Sequence, residues 1–160
     1  MKRTLVILLA IGQLFVLSCR KTTEISSTYS YGTMKTVCLN VNHDGTIVLR
    51  AWGNGNNKSE AIEQAKKNAL HEVLFDGIRD GVQMIDPLLL EVNAKEKFGF
   101  YFSTFFQDNG AYLMYVTENK SKKDSAIKAE NNYQEKYGII VEVNRELLKN
   151  RLINDNILKP

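Results

Sequence analysis

The N-terminus of this chain constrains its fold most, because it determines where a folded domain can begin. Lys2 and Arg3 precede an apolar run at residues 5–17, and the small residue Ser18 closes it. A charged start, a short apolar stretch and a small residue at its end are typical of a secretory signal peptide. A membrane-spanning helix needs about 20 apolar residues, and this run is shorter. We therefore predict that residues 1–18 are removed.

Cys19 follows this segment directly, and Val16-Leu17-Ser18-Cys19 resembles the lipobox of bacterial lipoproteins. The resemblance implies that Cys19 is acylated and becomes the new N-terminus, although Leu17 stands where a smaller residue is commoner. We expect a protein that is anchored to a membrane by lipid and works outside the cytoplasm. A single membrane-spanning anchor is the alternative.

The remaining chain has the size of one compact domain. Residues 20–33 are polar and rich in Ser and Thr. They predict that residues 19–33 form a lipidated, flexible tether to a globular domain at 34–160. The sequence has 21 basic and 18 acidic residues, and loss of Lys2 and Arg3 leaves 19 against 18. This balance argues against nucleic acid as a partner, because nucleic acid is bound through many Lys and Arg side chains.

Acylation of Cys19 leaves Cys38 as the one remaining thiol of the chain. An internal disulfide is then impossible, so the exported domain must be held by its core. Cys38 lies in a strand-like run at residues 36–41, which predicts a small buried hydrophobic side chain. A reactive or intermolecular thiol is the alternative.

Apolar periodicity predicts an α+β fold in a single domain, with a small, mainly antiparallel sheet packed against two or three helices. Asp44-Gly45 between two β-branched runs predicts a hairpin turn. Asn57 and Glu60 form a capping-box pattern at the start of a helix. The predicted strands are 35–42, 46–52 and 137–143, and the predicted helices are 58–76, 93–107 and 145–154. Residues 111–116 are predicted as a short strand or a helical turn, and 117–136 as a loop or partly a strand.

The motifs that often carry chemistry are incomplete. Gly53-Asn54-Gly55 lacks the lysine of a P-loop and the third glycine of a dinucleotide fingerprint, so it predicts a turn. His43 is predicted in a solvated turn and His71 on a helix surface, without metal-ligand spacing around it. No serine has a Gly-x-Ser-x-Gly setting. We therefore predict no catalytic residue, no metal site and no cofactor, and expect that the protein is not an enzyme.

An aromatic run is the strongest binding signal. Residues 98–106 contain five phenylalanines and Tyr101. A hydrophobic core accounts for most of them, but their number leaves room for an exposed patch that contacts a partner. We predict Phe100 and Phe106 as partner-binding residues.

Two family resemblances cover the folded part. Ala51-Trp52-Gly53, followed by alanines four residues apart in 59–69, resembles small bacterial envelope lipoproteins and the N-terminal domain of the flagellar ring protein FlgT. A longer pattern, through 64–69, 73–78, 91–98 and 137–159, is similar to the Bacteroidota lipoprotein group that includes TssQ of the type VI secretion system. Asn156 stands where that group is expected to have glycine. The resemblance brings no catalytic residues.

The second resemblance implies a non-enzymatic, lipid-anchored adapter or structural subunit of an envelope machine. We expect an outer-membrane lipoprotein that faces the periplasm and binds other envelope or secretion-machine subunits. The alternative is a periplasmic carrier or sensor lipoprotein that holds a small ligand in a pocket under residues 77–92. A hydrolase is a remote third alternative.

Overall fold

The computed structural model describes residues 35–120, 127–131 and 134–159. The predicted signal peptide, Cys19 and the tether lie outside these residues. In chain order the elements are β1 (Val37–Val41), β2 (Thr46–Gly55), α1 (Lys58–His71), β3 (Asp80–Gly81), α2 (Ala94–Lys97), α3 (Gly99–Phe105), β4 (Val116–Glu118), β5 (Ile127–Asn131), β6 (Gln134–Asn144) and α4 (Arg145–Asn154). A π-helical turn at Glu72–Asp76 extends α1, and a 3-10 turn at Ala111–Met114 precedes β4.

The strands of the described residues form one sheet in the order β3-β1-β2-β6-β4, with β5 also paired to β6. Every pairing is antiparallel except the short parallel contact of β3 with β1. The central β2 and β6 are in register from Thr46–Asn144 to Gly55–Glu135. The predicted α+β fold with a mainly antiparallel sheet is therefore confirmed.

The hairpin between β1 and β2 forms at the predicted turn. The N–H of Asn42 donates to the carbonyl oxygen of Thr46 at 2.8 Å, and the Thr46 N–H donates to the Asp44 carboxylate at 2.9 Å. Gly45 has a φ of +82°, the left-handed region that favours glycine. His43 is exposed in this turn, as predicted.

Helix α1 begins with a variant of the predicted cap. The Glu60 N–H donates to the Asn57 side chain at 3.0 Å, and the Glu60 carboxylate accepts from the Asn56 N–H at 3.0 Å. The carboxylate thus reaches one residue further back than in the usual capping box. The buried face of the helix consists of Ala61, Ala65, Ala69 and Leu70.

Small residues allow α1 to lie directly on β2. A Cβ on Gly53 would be 2.1 Å from the carbonyl oxygen of Ala61, and a Cβ on Gly55 would be 2.5 Å from the Ala61 nitrogen. Both distances are far below van der Waals contact, so the two glycines provide helix–sheet contact. This is the structural role of the Gly-x-Gly sequence, and the predicted turn is wrong there because these residues stay paired with β6 as the end of β2.

Several predicted bounds are wrong in detail. The helix predicted at 93–107 is divided at Phe98, whose φ of −109° and ψ of 24° interrupt it between α2 and α3. Strand β2 runs three residues beyond its predicted end because it stays paired with β6. The 117–136 region contributes to β4, β5 and β6. The final helix has the predicted bounds.

The core lies between the helices and one face of the sheet. It contains Cys38, which is completely buried as predicted, together with Leu49, Val141, Leu148 and Leu152. Ile157 and Leu158 close the end of the domain, since both N–H groups donate to the Leu152 carbonyl oxygen. In the part of the chain described, no helix is both long and apolar enough to span a bilayer.

Candidate functional site

The most distinctive surface of the domain is apolar. Among the described residues, the exposed large hydrophobic side chains are Val82, Met84, Leu90, Val92, Phe100, Leu113, Met114 and Leu147. The most exposed are Leu90 (79%), Val92 (102%) and Phe100 (89%). We call these three residues the 90–100 surface. Exposed large apolar side chains are ordinary when they occur singly, and several of them in neighbouring segments make a candidate interaction site.

An ion pair joins the two segments that carry this surface. The Nζ atom of Lys97 lies 2.9 and 3.0 Å from the two carboxylate oxygens of Glu91. The carbonyl oxygen of Glu91 also accepts the Ala94 N–H at 3.1 Å. Glu91 stands between Leu90 and Val92 in the chain, and Lys97 precedes Phe100 by three residues. The two segments therefore meet beside the start of α3.

Phe100 is exposed because of where it lies on α3. Phe102 and Phe105 face the core, and Phe100 lies on the other side of the helix. Phe106, the second predicted partner-binding residue, is partly buried, with its ring 5.0 Å from that of Phe105 and 6.1 Å from that of Tyr112. The structure therefore places Phe100 at the surface and Phe106 in an aromatic cluster, and does not bring the two together in one exposed patch.

Two tyrosines tie the aromatic cluster to charged side chains. The Tyr112 hydroxyl donates to the Glu63 carboxylate, which also pairs with Lys66 at 2.9 Å. The Tyr101 hydroxyl donates to Asp155 at 2.7 Å. Burial and the neighbouring carboxylate raise the pKa of each tyrosine. Both hydroxyl protons are thus held in structural hydrogen bonds.

His71 is more buried than the sequence predicts. Its side chain is 14% exposed, its ring centroid is 4.7 Å from that of Phe75, and its Nδ1 lies 3.1 Å from Asp76. The π-helical turn at Glu72–Asp76 brings His71 close to Asp76, which is five residues later in the chain. Asp76 also pairs with Lys95 at 3.3 Å. Burial, followed by the charge of Lys95, lowers the pKa of His71 to about 4, so the ring is neutral near pH 7.

We expect His71 to destabilise the domain as the pH falls from about 6.5 to about 4. The unfolded histidine binds a proton near pH 6.5, whereas the folded one binds it only near pH 4. The unfolded state gains protons first, so stability falls through this window, by about 3 kcal/mol. Urea unfolding of the wild type and of His71→Gln at about pH 7 and about pH 4 measures this. The variant should lose less stability than the wild type, and equal losses would contradict the assignment.

The described residues show no arrangement for holding a metal. No group of three or more His, Cys, Asp or Glu side chains is close enough together for this within 35–120, 127–131 and 134–159. Cys38 is buried, and burial raises the pKa of its thiol above the usual value. A thiol held in its protonated form is a poor nucleophile.

Sequence reasoning missed Leu90 and Val92. The apolar run 77–92 has no helical or strand period, and only the alternative carrier function assigns it a role, as the cover of a ligand pocket. In the structure, Ile78, Ile85, Leu88 and Leu89 belong to the core, whereas Leu90 points out. The absence of a period was the available signal, because it shows that the segment has no single buried face.

Comparison of the chain with models of known protein families, with curated proteins and with solved structures found no match.

Proposed function

We propose that this protein is a lipid-anchored adapter of the cell envelope. Lipid on Cys19 holds it at the outer membrane, on the periplasmic side, and the 90–100 surface binds another subunit of an envelope machine. The resemblance of the sequence to a type VI secretion lipoprotein supports a secretion apparatus as that machine. In this role the domain has no catalytic task.

The single observation that carries the binding role is the exposure of the 90–100 surface. Burying a side chain such as Leu, Val or Phe contributes about 1.5–3 kcal/mol each. Three such side chains supply roughly 5–9 kcal/mol by that scale, whereas association costs about 4–15 kcal/mol. These three side chains can therefore form the centre of an interface, but stable binding also needs contacts around them.

Polar groups that can form this rim are present. Glu91 and Lys97 form the ion pair described above, and Glu96 is exposed on the intervening helix. Lys95 lies over the Phe75 ring, with its Nζ 5.1 Å from the ring centroid. An apolar centre with a polar, charge-balanced border is the usual organisation of a protein interface.

The proposal predicts that Phe100→Glu removes partner binding and leaves folding intact. The lipidated full-length protein is captured from detergent-solubilised membranes, and the co-isolated proteins are quantified by mass spectrometry. Wild-type protein should recover secretion-apparatus subunits. The variant should recover at least about ten-fold less of them, since losing one buried Phe side chain costs about 1.5–3 kcal/mol.

Asn150→Glu provides the matched control. Asn150 is exposed on α4, so this variant adds the same charge to a different helix. It should recover the subunits at the wild-type level. Equal recovery with Phe100→Glu and wild type would refute the role of the 90–100 surface, and recovery of no envelope subunit by wild type would refute the adapter function.

A further inference from the structure

A second exposed apolar feature lies outside the 90–100 surface, in residues 79–84, which we call the 79–84 turn. Ile78 and Ile85 flank it and exchange two backbone hydrogen bonds of 2.8 Å. Both flanking side chains are buried. The tip instead exposes Val82 (71%) and Met84 (68%). The turn thus projects two apolar side chains from a closed base.

The turn is held firmly against the sheet. The Val82 N–H donates to the carbonyl oxygen of Cys38 at 2.9 Å. Gly81 has a φ of +118°, and a Cβ there would lie 2.0 Å from the same Cys38 oxygen. Only glycine permits this approach to β1. Val82 and Met84 therefore project from a fixed position and need no reorganisation before they bind.

The chain that leads to Cys19 leaves the domain beside this turn. Lys35 is the first described residue, and its Nζ lies 3.5 Å from the carboxylate of Asp80 in the turn. Residues 20–34 connect it to Cys19, and a chain of that length spans at most about 58 Å. A domain of this size has a radius of gyration of about 14 Å. A tether of this length lets every face of the body reach the bilayer, and the turn is favoured because it lies beside Lys35, where the chain toward Cys19 begins.

We propose that the 79–84 turn inserts Val82 and Met84 into the surface of the bilayer that carries the lipid on Cys19. The inference rests on the lipid anchor of the proposed function. The apolar tip suits the boundary between headgroups and acyl chains. Two charge-neutral ion pairs border this tip, Lys35 with Asp80 at 3.5 Å and Arg79 with Asp86 at 3.2 Å, and such groups suit the headgroup region.

The contact of Val82 and Met84 with the bilayer is small, and the lipid on Cys19 makes it effective. Two side chains alone give weak, reversible membrane binding. Once the lipid is inserted, the second contact is intramolecular and has a high effective concentration. Contact through the turn then restricts the orientation of the body on the membrane.

Tryptophan fluorescence tests the orientation. Met84→Trp and Phe100→Trp are prepared as lipidated full-length proteins that retain Trp52, and both substitutions are at exposed positions, where folding tolerates them. Each protein is reconstituted into vesicles of phosphatidylethanolamine and phosphatidylglycerol, with or without brominated acyl chains. The emission added by residue 84 should be quenched at least about three-fold more strongly than the emission added by residue 100.

Equal quenching of the two added tryptophans, or no more quenching of Met84→Trp than of wild type, would overturn the membrane contact. Vesicle flotation separates this result from failure of the anchor. Protein that floats with vesicles but shows no preferential quenching at residue 84 refutes the turn contact alone. Protein that does not float refutes the lipid anchor, and the turn contact with it.

Discussion

Gly53→Ala will lower the free energy of unfolding by more than about 3 kcal/mol or prevent folding altogether. The added Cβ would lie 2.1 Å from the Ala61 carbonyl oxygen, 2.3 Å from the Ala65 nitrogen and 2.9 Å from the Ala65 Cα. All three atoms belong to the backbone of α1, so no side chain can rotate away. The helix would have to move off the central strand, and overpacking that cannot relax exceeds the usual 1–3 kcal/mol. Urea unfolding followed by circular dichroism measures the loss.

Gly99→Ala is the matched control. Apart from its chain neighbours and the backbone of its own helix, no atom lies within 4 Å of a Cβ at this position, which begins α3. Alanine favours the helix over glycine by up to about 1 kcal/mol, so this variant should be as stable as wild type or slightly more stable. Wild-type stability in Gly53→Ala would show that α1 does not lie against β2 as described.

Cys19→Ala will release the protein from the membrane fraction. A lipid anchor contributes about 0.8 kcal/mol for each buried CH₂ group, so several acyl CH₂ groups hold a protein far more strongly than two side chains of a turn can. Fractionation of cells by ultracentrifugation, followed by immunoblotting, should place wild type with the membranes and the variant in the soluble fraction.

Cys38→Ala controls for the loss of a thiol. Cys38 is completely buried, so the variant should remain with the membranes. Cys19→Ala protein that stays with the membranes without a retained signal peptide would refute anchoring through lipid on Cys19.

Some of the fold could be predicted because local chemistry determines it. Asp44-Gly45 defines the hairpin through a side-chain hydrogen bond and a positive φ, and both lie within a few residues of the turn. Asn57 and Glu60 define the start of α1 in the same way. Elements of this kind are specified by neighbouring residues and do not depend on the rest of the domain.

The parts that could not be predicted depend on tertiary neighbours. Leu88 and Leu89 are buried, and the adjacent Leu90 is exposed, although the three residues are chemically identical. The cause is a pair of backbone hydrogen bonds that hold the first two residues. The N–H groups of Leu88 and Leu89 donate to the carbonyl oxygens of Val73 and Leu74 on the π-helical turn. The sequence contains no signal for that long-range contact, nor for the break between α2 and α3 at Phe98.

The candidate site was also predictable only in part. The aromatic run predicts an exposed patch at Phe100 and Phe106, and of these two Phe100 is exposed, on the outer side of α3. The segment of Leu90 and Val92 is held beside α3 by the ion pair of Glu91 with Lys97 and by the hydrogen bond from the Ala94 N–H to the Glu91 carbonyl oxygen. Phe106 follows the helical face of Phe102 and has its ring centroid 6.4 Å from that residue's, so it lies largely inside the cluster.

The lipid anchor can be identified from the mass of the N-terminal peptide of the mature protein, purified from membranes and digested with trypsin. We predict that the mature chain begins at Cys19 and that this residue carries fatty acyl chains. A chain that begins at Met1, or an unmodified Cys19 at the N-terminus, would contradict the lipid anchor on which the adapter function and the membrane contact of the 79–84 turn both depend.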